Sequence, residues 1–181
     1  MTEPLADPLW RNATDLCCDL QRGTIAATTL MENVYARIAA LNPRLNALVD
    51  LMPQEQAMAL AATADAVPIA ERGPLHGLPM APKDAVTVRG FSTSWGYPGF
   101  SKNVETQDDE LARRLREAGA IFIGHSNMPE FGLGSHTFNQ LYGHTYNPWD
   151  LSKTPGGSSG GAAVALAADI LPLADGSDLG G

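Results

Sequence analysis

Residues 154–161 read Thr-Pro-Gly-Gly-Ser-Ser-Gly-Gly, two hydroxyls framed by four glycines. Glycine at that density lets the backbone adopt conformations a Cβ forbids and approach a ligand closely. Such a run is either a flexible linker or a catalytic or anion-binding loop leading into a helix N-terminus. The flanks favour the loop. Pro148-Trp149-Asp150 precedes it, and a compact Ala/Val stretch follows. A phosphate-binding loop closes on Gly-Lys-Ser/Thr, and Gly160-Gly161-Ala162 supplies no lysine. Gly156 to Gly160 does match Gly-x-Ser-x-Gly, but a nucleophile elbow needs a buried strand just before it. Residues 149–155 are polar and broken by Pro155, and no histidine follows Ser158.

The second candidate is Lys83. A lysine in a Gly/Pro-rich stretch is ordinarily a solvated surface residue. Here the neighbours Met80, Ala81, Pro82, Ala85 and Val86 are apolar, which suits an amine held at the edge of a core. A buried lysine loses its proton more easily and can serve as a base. A third segment, Asp175-Gly176-Ser177-Asp178-Leu179-Gly180-Gly181, again mixes small residues with hydroxyl and carboxylate groups. His76, His125, His136 and His144 show neither H-x-E-H nor H-x-x-x-H spacing, so no zinc site is expected. His76 and His125 flank predicted strands and read as structural.

The elements that must position these groups are legible from periodicity. Trp10, Ala13, Leu16, Cys17 and Leu20 recur at helical spacing, with Gly23 as a stop. Thr29-Leu30-Met31-Glu32 fits a capping box opening a second helix, with Leu30, Val34, Ile38 and Leu41 on one face. Residues 46–51 suit a strand, and Pro53 begins an Ala-rich helix towards Ala66. Short strands are expected at 78–81 and 85–88. Asp108-Asp109 caps a helix through Leu111, Leu115 and Ala118, with a Glu110–Arg114 pair and Gly119 closing it. Strand 120–123, helix 160–168 and strand 170–174 complete the reading. This alternation predicts an α/β fold, a mixed and largely parallel sheet covered by helices, in one domain.

Composition narrows the function. The chain has 181 residues, 44% hydrophobic and 18% charged, which is globular and neither disordered nor membrane-spanning. Twenty acidic against twelve basic residues give a net charge of −8, which argues against nucleic acid or anionic lipid as a non-specific partner. Cys17 and Cys18 are adjacent and read as unpaired core thiols. With no basic and apolar leader after Met1, a cytoplasmic protein is expected. The end at Gly180-Gly181, with no closing element after a predicted strand, is expected to be a cut.

Together the three segments resemble the amidase signature family. Its Gly-x-Pro-x-x-x-Lys-Asp stretch appears as Gly77 to Asp84, and its Gly-Gly-Ser-Ser-Gly-Gly loop as Gly156 to Gly161. The start of its Gly-Ser/Thr-Asp-x-Gly-Gly-Ser segment appears as Gly176 to Gly181. Residues 37–43, 45–47, 119–121, 127–131 and 147–150 are similar to the family as well, so the likeness covers nearly the whole chain. The resemblance implies hydrolysis of a small-molecule carboxamide through an acyl-enzyme, with no cofactor and no metal. It implies that Lys83 is the general base of a Ser–Ser–Lys triad and Ser158 the bridging serine on a cis peptide. The nucleophilic serine would follow Gly181, so the 181 residues alone are expected to be inactive. Backbone N–H groups of Leu179, Gly180 and Gly181 would form the oxyanion hole. Ser177 and Asp178 would brace that loop, and Ser159 would make only local hydrogen bonds. The family also includes the glutaminase-like component of a glutamyl-tRNA amidotransferase, which hands ammonia to a partner chain. A third possibility is an inactive remnant kept for binding.

Overall fold

The computed structural model describes residues 11–178. Asn12 opens α1 (Ala13–Arg22), its side-chain oxygen accepting the Asp15 N–H at 2.9 Å, and Gly23 closes it in the left-handed region. Trp10 lies outside the described residues. Leu16 and Leu20 are buried, whereas Cys17 and Cys18 are free thiols at half-buried positions rather than core ones.

The second helix, α2 (Ala27–Leu45), begins two residues before the expected capping box. Its first N–H groups are taken by a distant carboxylate instead. Asp65, the last residue of α3 (Gln54–Asp65), accepts from the Ala27 N–H at 2.6 Å and the Thr28 N–H at 3.1 Å. It also accepts from the Thr28 hydroxyl at 2.7 Å. The negative charge meets the positive end of the α2 dipole, and this cap locks α2 to α3. Leu30, Met31, Val34 and Ile38 form the buried face of α2.

Three segments make the sheet that carries the site. Strand β3 (Ile121–Phe122) pairs in parallel with β2 (Pro79–Met80), and β4 (His125–Ser126) pairs antiparallel with β1 (Leu48–Val49). The hydrogen bonds run beyond these two-residue cores. Ile121 and Ile123 donate to the carbonyls of Leu78 and Met80, and Ser126 donates to Pro82. On the other side Asn127 donates to Ala47, and Met52 to Ile123. Residues 121–127 are therefore the central strand, with 78–84 parallel on one edge and 47–52 antiparallel on the other. The sheet is mixed, as expected. Leu78, Met80, Phe122 and Ile123 are buried within it, and α2 and α3 pack against β2 and β3.

Two expected strands are not strands. In 85–88 the Val86 N–H turns back to the Lys83 carbonyl, and Thr87 and Arg89 bond the aspartates ahead of α4 (Glu110–Glu117). In 170–174 the N–H groups of Ile170 and Leu171 both go to the Ala165 carbonyl, and Pro172 has no N–H to offer. Those two residues are buried as a cap on α5 (Gly160–Ala167). The expectations around α4 hold. Asp109 caps it through the Ala112 N–H, Glu110 pairs with Arg114, and Gly119 follows in the left-handed region. A short hairpin, β5 (Phe138–Asn139) with β6 (Gly143–His144), precedes the Gly/Ser loop. Among the described residues no helix is long and apolar enough to cross a membrane.

Candidate active site

Lys83 sits on the edge strand 78–84, bridged in parallel to Ser126. The strand turns its side chain out of solvent, leaving the residue 2% exposed. The amine is not buried against hydrocarbon alone. Its Nζ lies 2.6 Å from Ser158 Oγ and 2.9 Å from Ser177 Oγ, with the Ser177 carbonyl at 3.4 Å. Two hydroxyls from segments 75 and 94 residues away thus converge on one amine.

The Gly/Ser loop reaches that position because α5 packs close to the sheet. Gly161 donates its N–H to the Asn127 carbonyl at 3.1 Å, and a Cβ at 161 would fall inside contact distance of the Asn127 and Ala47 backbones. Only glycine allows this approach. Thr137 holds the other side of the loop. Its hydroxyl donates to the Gly156 carbonyl at 2.9 Å and accepts the Gly160 N–H at 3.1 Å. Between these supports the Gly157–Ser158 peptide is cis, as the resemblance implies. Ser159, expected to make only local bonds, instead pairs across 18 residues with Ser177. It accepts the Ser177 N–H at 3.1 Å and donates to the Ser177 carbonyl at 3.3 Å.

Burial pushes the Lys83 amine below its ordinary pKa, while the nearby carboxylates of Asp175 and Asp178 pull the other way. Desolvation wins. Sequence reasoning gives Asp175 no role, yet its carboxylate accepts the Lys83 backbone N–H at 3.0 Å. Burial pushes its pKa up, against the hydrogen bond from Lys83 and the charges of Lys83 and His125. Its position at the head of the segment 175–181 is the one available signal. Asp84, also without an expected role, is fully buried and takes the N–H groups of Ser94 and Gly96 at 2.9 and 3.0 Å, together with the Ser94 hydroxyl. It fixes a neighbouring loop, and Thr137 carries no motif to betray it.

Lys83, Ser158, Ser177 and Asp178 line a cleft of about 530 Å³, whose other walls include Trp95, Phe131 and Leu133. Leu179, Gly180 and Gly181 lie outside the described residues. His76 bonds the Ala64 carbonyl, and His125 is buried with Nε2 3.3 Å from the Val86 carbonyl, both apart from the cleft lining. Among the described residues no group of three or more His, Cys, Asp or Glu side chains is placed to hold a metal ion.

The model of the Amidase family matches residues 29–181. The chain belongs to the amidase family. Within it, the chain is 38% identical over 170 residues to an acylamidase from Rhodococcus erythropolis, covering 93% of this chain and 36% of that protein. It is 40% identical over 172 residues to the A-type component of a glutamyl-tRNA(Gln) amidotransferase from Halorhodospira halophila, covering 94% and 35%. The fold is similar to the crystal structure of a peptide amidase from Stenotrophomonas maltophilia, with a TM-score of 0.79 at 35% identity over 91% of this chain and 35% of that one. The chain spans about a third of the length of the amidase-family proteins it matches.

Proposed function

We propose that the protein hydrolyses a carboxamide to a carboxylate and ammonia or an amine through an acyl-enzyme. Lys83 is the general base, Ser158 relays the proton, and the nucleophilic serine is the residue that follows Gly181. The observation carrying this reading is the 2.6 Å contact between Lys83 Nζ and Ser158 Oγ in a site where burial favours the neutral amine. A neutral amine has a lone pair and can accept the Ser158 proton, as Ser158 accepts one from the attacking hydroxyl. The serine oxygen then bonds the carboxamide carbon, and the C–N bond breaks as the proton passes back through Ser158 to the leaving nitrogen. Water repeats the sequence on the ester and releases the acid. Backbone N–H groups at Leu179, Gly180 and Gly181 stabilise the oxyanion. The substrate is a small-molecule amide, the site needs no cofactor or metal, and the free Cys17 and Cys18 suit a cytoplasmic setting.

The test uses the protein extended past Gly181. Lys83→Ala and Ser158→Ala should each lower turnover by about a hundredfold or more. Lys83→Arg should not restore it, because guanidinium stays protonated. An active Lys83→Arg enzyme would show that the residue acts through charge and would refute the base assignment. Residues 1–181 alone should hydrolyse no simple amide above background.

The 40% identity to an amidotransferase component favours a second reading, in which ammonia from the same chemistry passes to a partner chain. Co-purification of a stoichiometric partner from the native source distinguishes it from a stand-alone amidase.

A further inference from the structure

The hairpin β5–β6 lies beside the Gly/Ser loop and is fastened to the central strand by one side chain. Asn127 is fully buried, and all four hydrogen-bonding positions of its amide are taken. Its Oδ1 accepts from Asn139 Nδ2 at 2.7 Å and from the Met128 N–H at 3.0 Å. Its Nδ2 donates to Thr145 Oγ at 2.9 Å and to the Gly143 carbonyl at 3.3 Å. Asn139 and Gly143 belong to the hairpin, and Thr145 follows it. The Thr145 N–H donates to the Thr137 carbonyl at 3.0 Å, and the Thr145 hydroxyl to the Asn46 carbonyl at 2.6 Å. Thr137 in turn bonds Gly156 and Gly160, and the Asn127 carbonyl accepts the Gly161 N–H. The hydrogen bonds thus close a ring from Asn127 through Thr145 and Thr137 to the Gly/Ser loop and back. Asn127, Thr137 and Thr145 are at most 3% exposed, so these are interior contacts, independent of what covers the surface.

The ring meets the amine at the same point of the sheet. Ser126, next to Asn127, donates to the Pro82 carbonyl at 2.8 Å and accepts the Asp84 N–H at 3.2 Å. It therefore grips the edge strand on either side of Lys83. Residues 126 and 127 are a common mount for the amine and for the loop that carries Ser158. Within the ring, the Thr137 hydroxyl spends its one donor on the Gly156 carbonyl and a lone pair on the Gly160 N–H. These two points bracket Ser158 and Ser159. The backbone N–H of Thr137 shares the first of them at 3.1 Å, so the second rests on the hydroxyl. A Cβ at Gly157 or Gly160 would fall inside contact distance of that oxygen, so the loop is laid directly over it.

We propose that Thr137 is a positioning residue for Ser158: its hydroxyl clamps the loop on both sides of the two serines and so sets the Lys83–Ser158 contact. The inference rests on the amide-hydrolysis reading and adds to it a residue outside all three motif segments. Proton transfer between Ser158 and Lys83 needs both groups within hydrogen-bond reach, and a misplacement of about 1 Å can cost about a hundredfold in rate. Thr137 is not part of the cleft lining, so its loss acts on the chemical step and not on substrate binding. Valine keeps the shape of threonine but has neither donor nor acceptor, whereas serine keeps both.

The test uses the protein extended past Gly181 and two readouts. Ammonia release is followed with propanamide, benzamide and L-glutamine, and kinetics are taken on whichever the wild type hydrolyses. Thr137→Val should lower kcat by at least about tenfold and leave KM within about twofold, the pattern of a loss confined to the chemical step. Thr137→Ser should retain most of the wild-type kcat. Thr63→Val, which removes an exposed hydroxyl on α3, should change neither constant. Independently of turnover, hydrogen exchange read by mass spectrometry over peptides spanning 155–161 should be slow in wild type and Thr137→Ser, because the Gly160 and Gly161 N–H groups are bonded. In Thr137→Val it should be at least about tenfold faster. Full kcat or unchanged exchange in Thr137→Val, an equal loss in Thr137→Ser, or a rise in KM alone would overturn the proposal. If Thr137→Val does not fold, wild type and Thr137→Ser decide by the same measurement: slow exchange in both supports the clamp, and exchange at the open-chain rate refutes it. Absence of hydrolysis by the wild type counts against the amide reading and leaves the clamp to the exchange comparison, whereas unchanged Thr137→Val kinetics in an active enzyme sinks the clamp alone.

Discussion

Replacing Lys83 with methionine tests whether the amine is truly neutralised by its surroundings, and it needs no substrate. The side chain is 2% exposed, and its pKa in the folded protein lies below the ordinary 10.5. Between that lowered value and 10.5 the unfolded chain holds the proton and the folded chain does not. Stability therefore rises with pH across this window. Below it both states are protonated and above it both are neutral, so Lys83 adds no slope at either side. One proton limits the slope to about 1.4 kcal/mol per pH unit. Other groups act in the opposite sense. Burial pushes the Tyr35 and Tyr142 hydroxyls up to about 12, so the folded chain keeps protons that the unfolded one has lost, and stability falls as pH climbs past 10. The Cys17 thiol, also raised by burial, acts likewise above 9. These contributions are common to wild type and Lys83→Met and cancel in their difference. Methionine fills a similar volume and has no charge to desolvate. Urea unfolding at steps between about pH 7 and pH 11 should show the stability of wild type, measured relative to Lys83→Met, climbing with pH. A flat or falling difference would mean that the amine stays charged inside the fold. The general-base reading would then lose its physical ground.

Three further outcomes follow from the packing and the chemistry. Asp65→Ala removes the carboxylate that caps α2 and should cost about 1–2 kcal/mol in denaturant unfolding, with Asp65→Asn recovering part of the loss. Gly161→Ala forces a methyl against the Asn127 and Ala47 backbones and should destabilise by about 1–3 kcal/mol, whereas Ala163→Ser on the exposed side of the same helix should be nearly silent. In the extended protein, amide turnover should rise with pH as Lys83 loses its proton and then level off, read from initial rates across the neutral to alkaline range.

Local signals are the legible part of this chain. Gly23, Asp109 and the Glu110–Arg114 pair lie within a few residues of what they stabilise, so pattern reasoning finds them, whereas the equally local Asn12 cap is seen only in the structure. The start of α2 is not legible, because its cap is Asp65, 37 and 38 residues away. Residues 170–174 have the apolar content of a buried strand, but burial under α5 satisfies the same hydrophobicity without a ladder. In the site, Lys83 and Ser158 stand inside distinctive glycine-rich and apolar contexts, which make them visible. Asp84 and Asp175 stand at the edges of the segments 77–84 and 175–181 but without a role that the pattern assigns, and Thr137 lies in neither. Their importance exists only in the contacts that folding creates, and no spacing rule encodes those.

The amine and the aromatic walls are mounted differently. Lys83 is carried on a strand hydrogen-bonded to the centre of the sheet, whereas Trp95 and Phe131 project from loops pinned by Asp84 and by each other. A mutation at either ring can reshape the cleft without displacing the strand beneath it. Substitutions can then accumulate in the loops while the strand that carries the amine stays fixed.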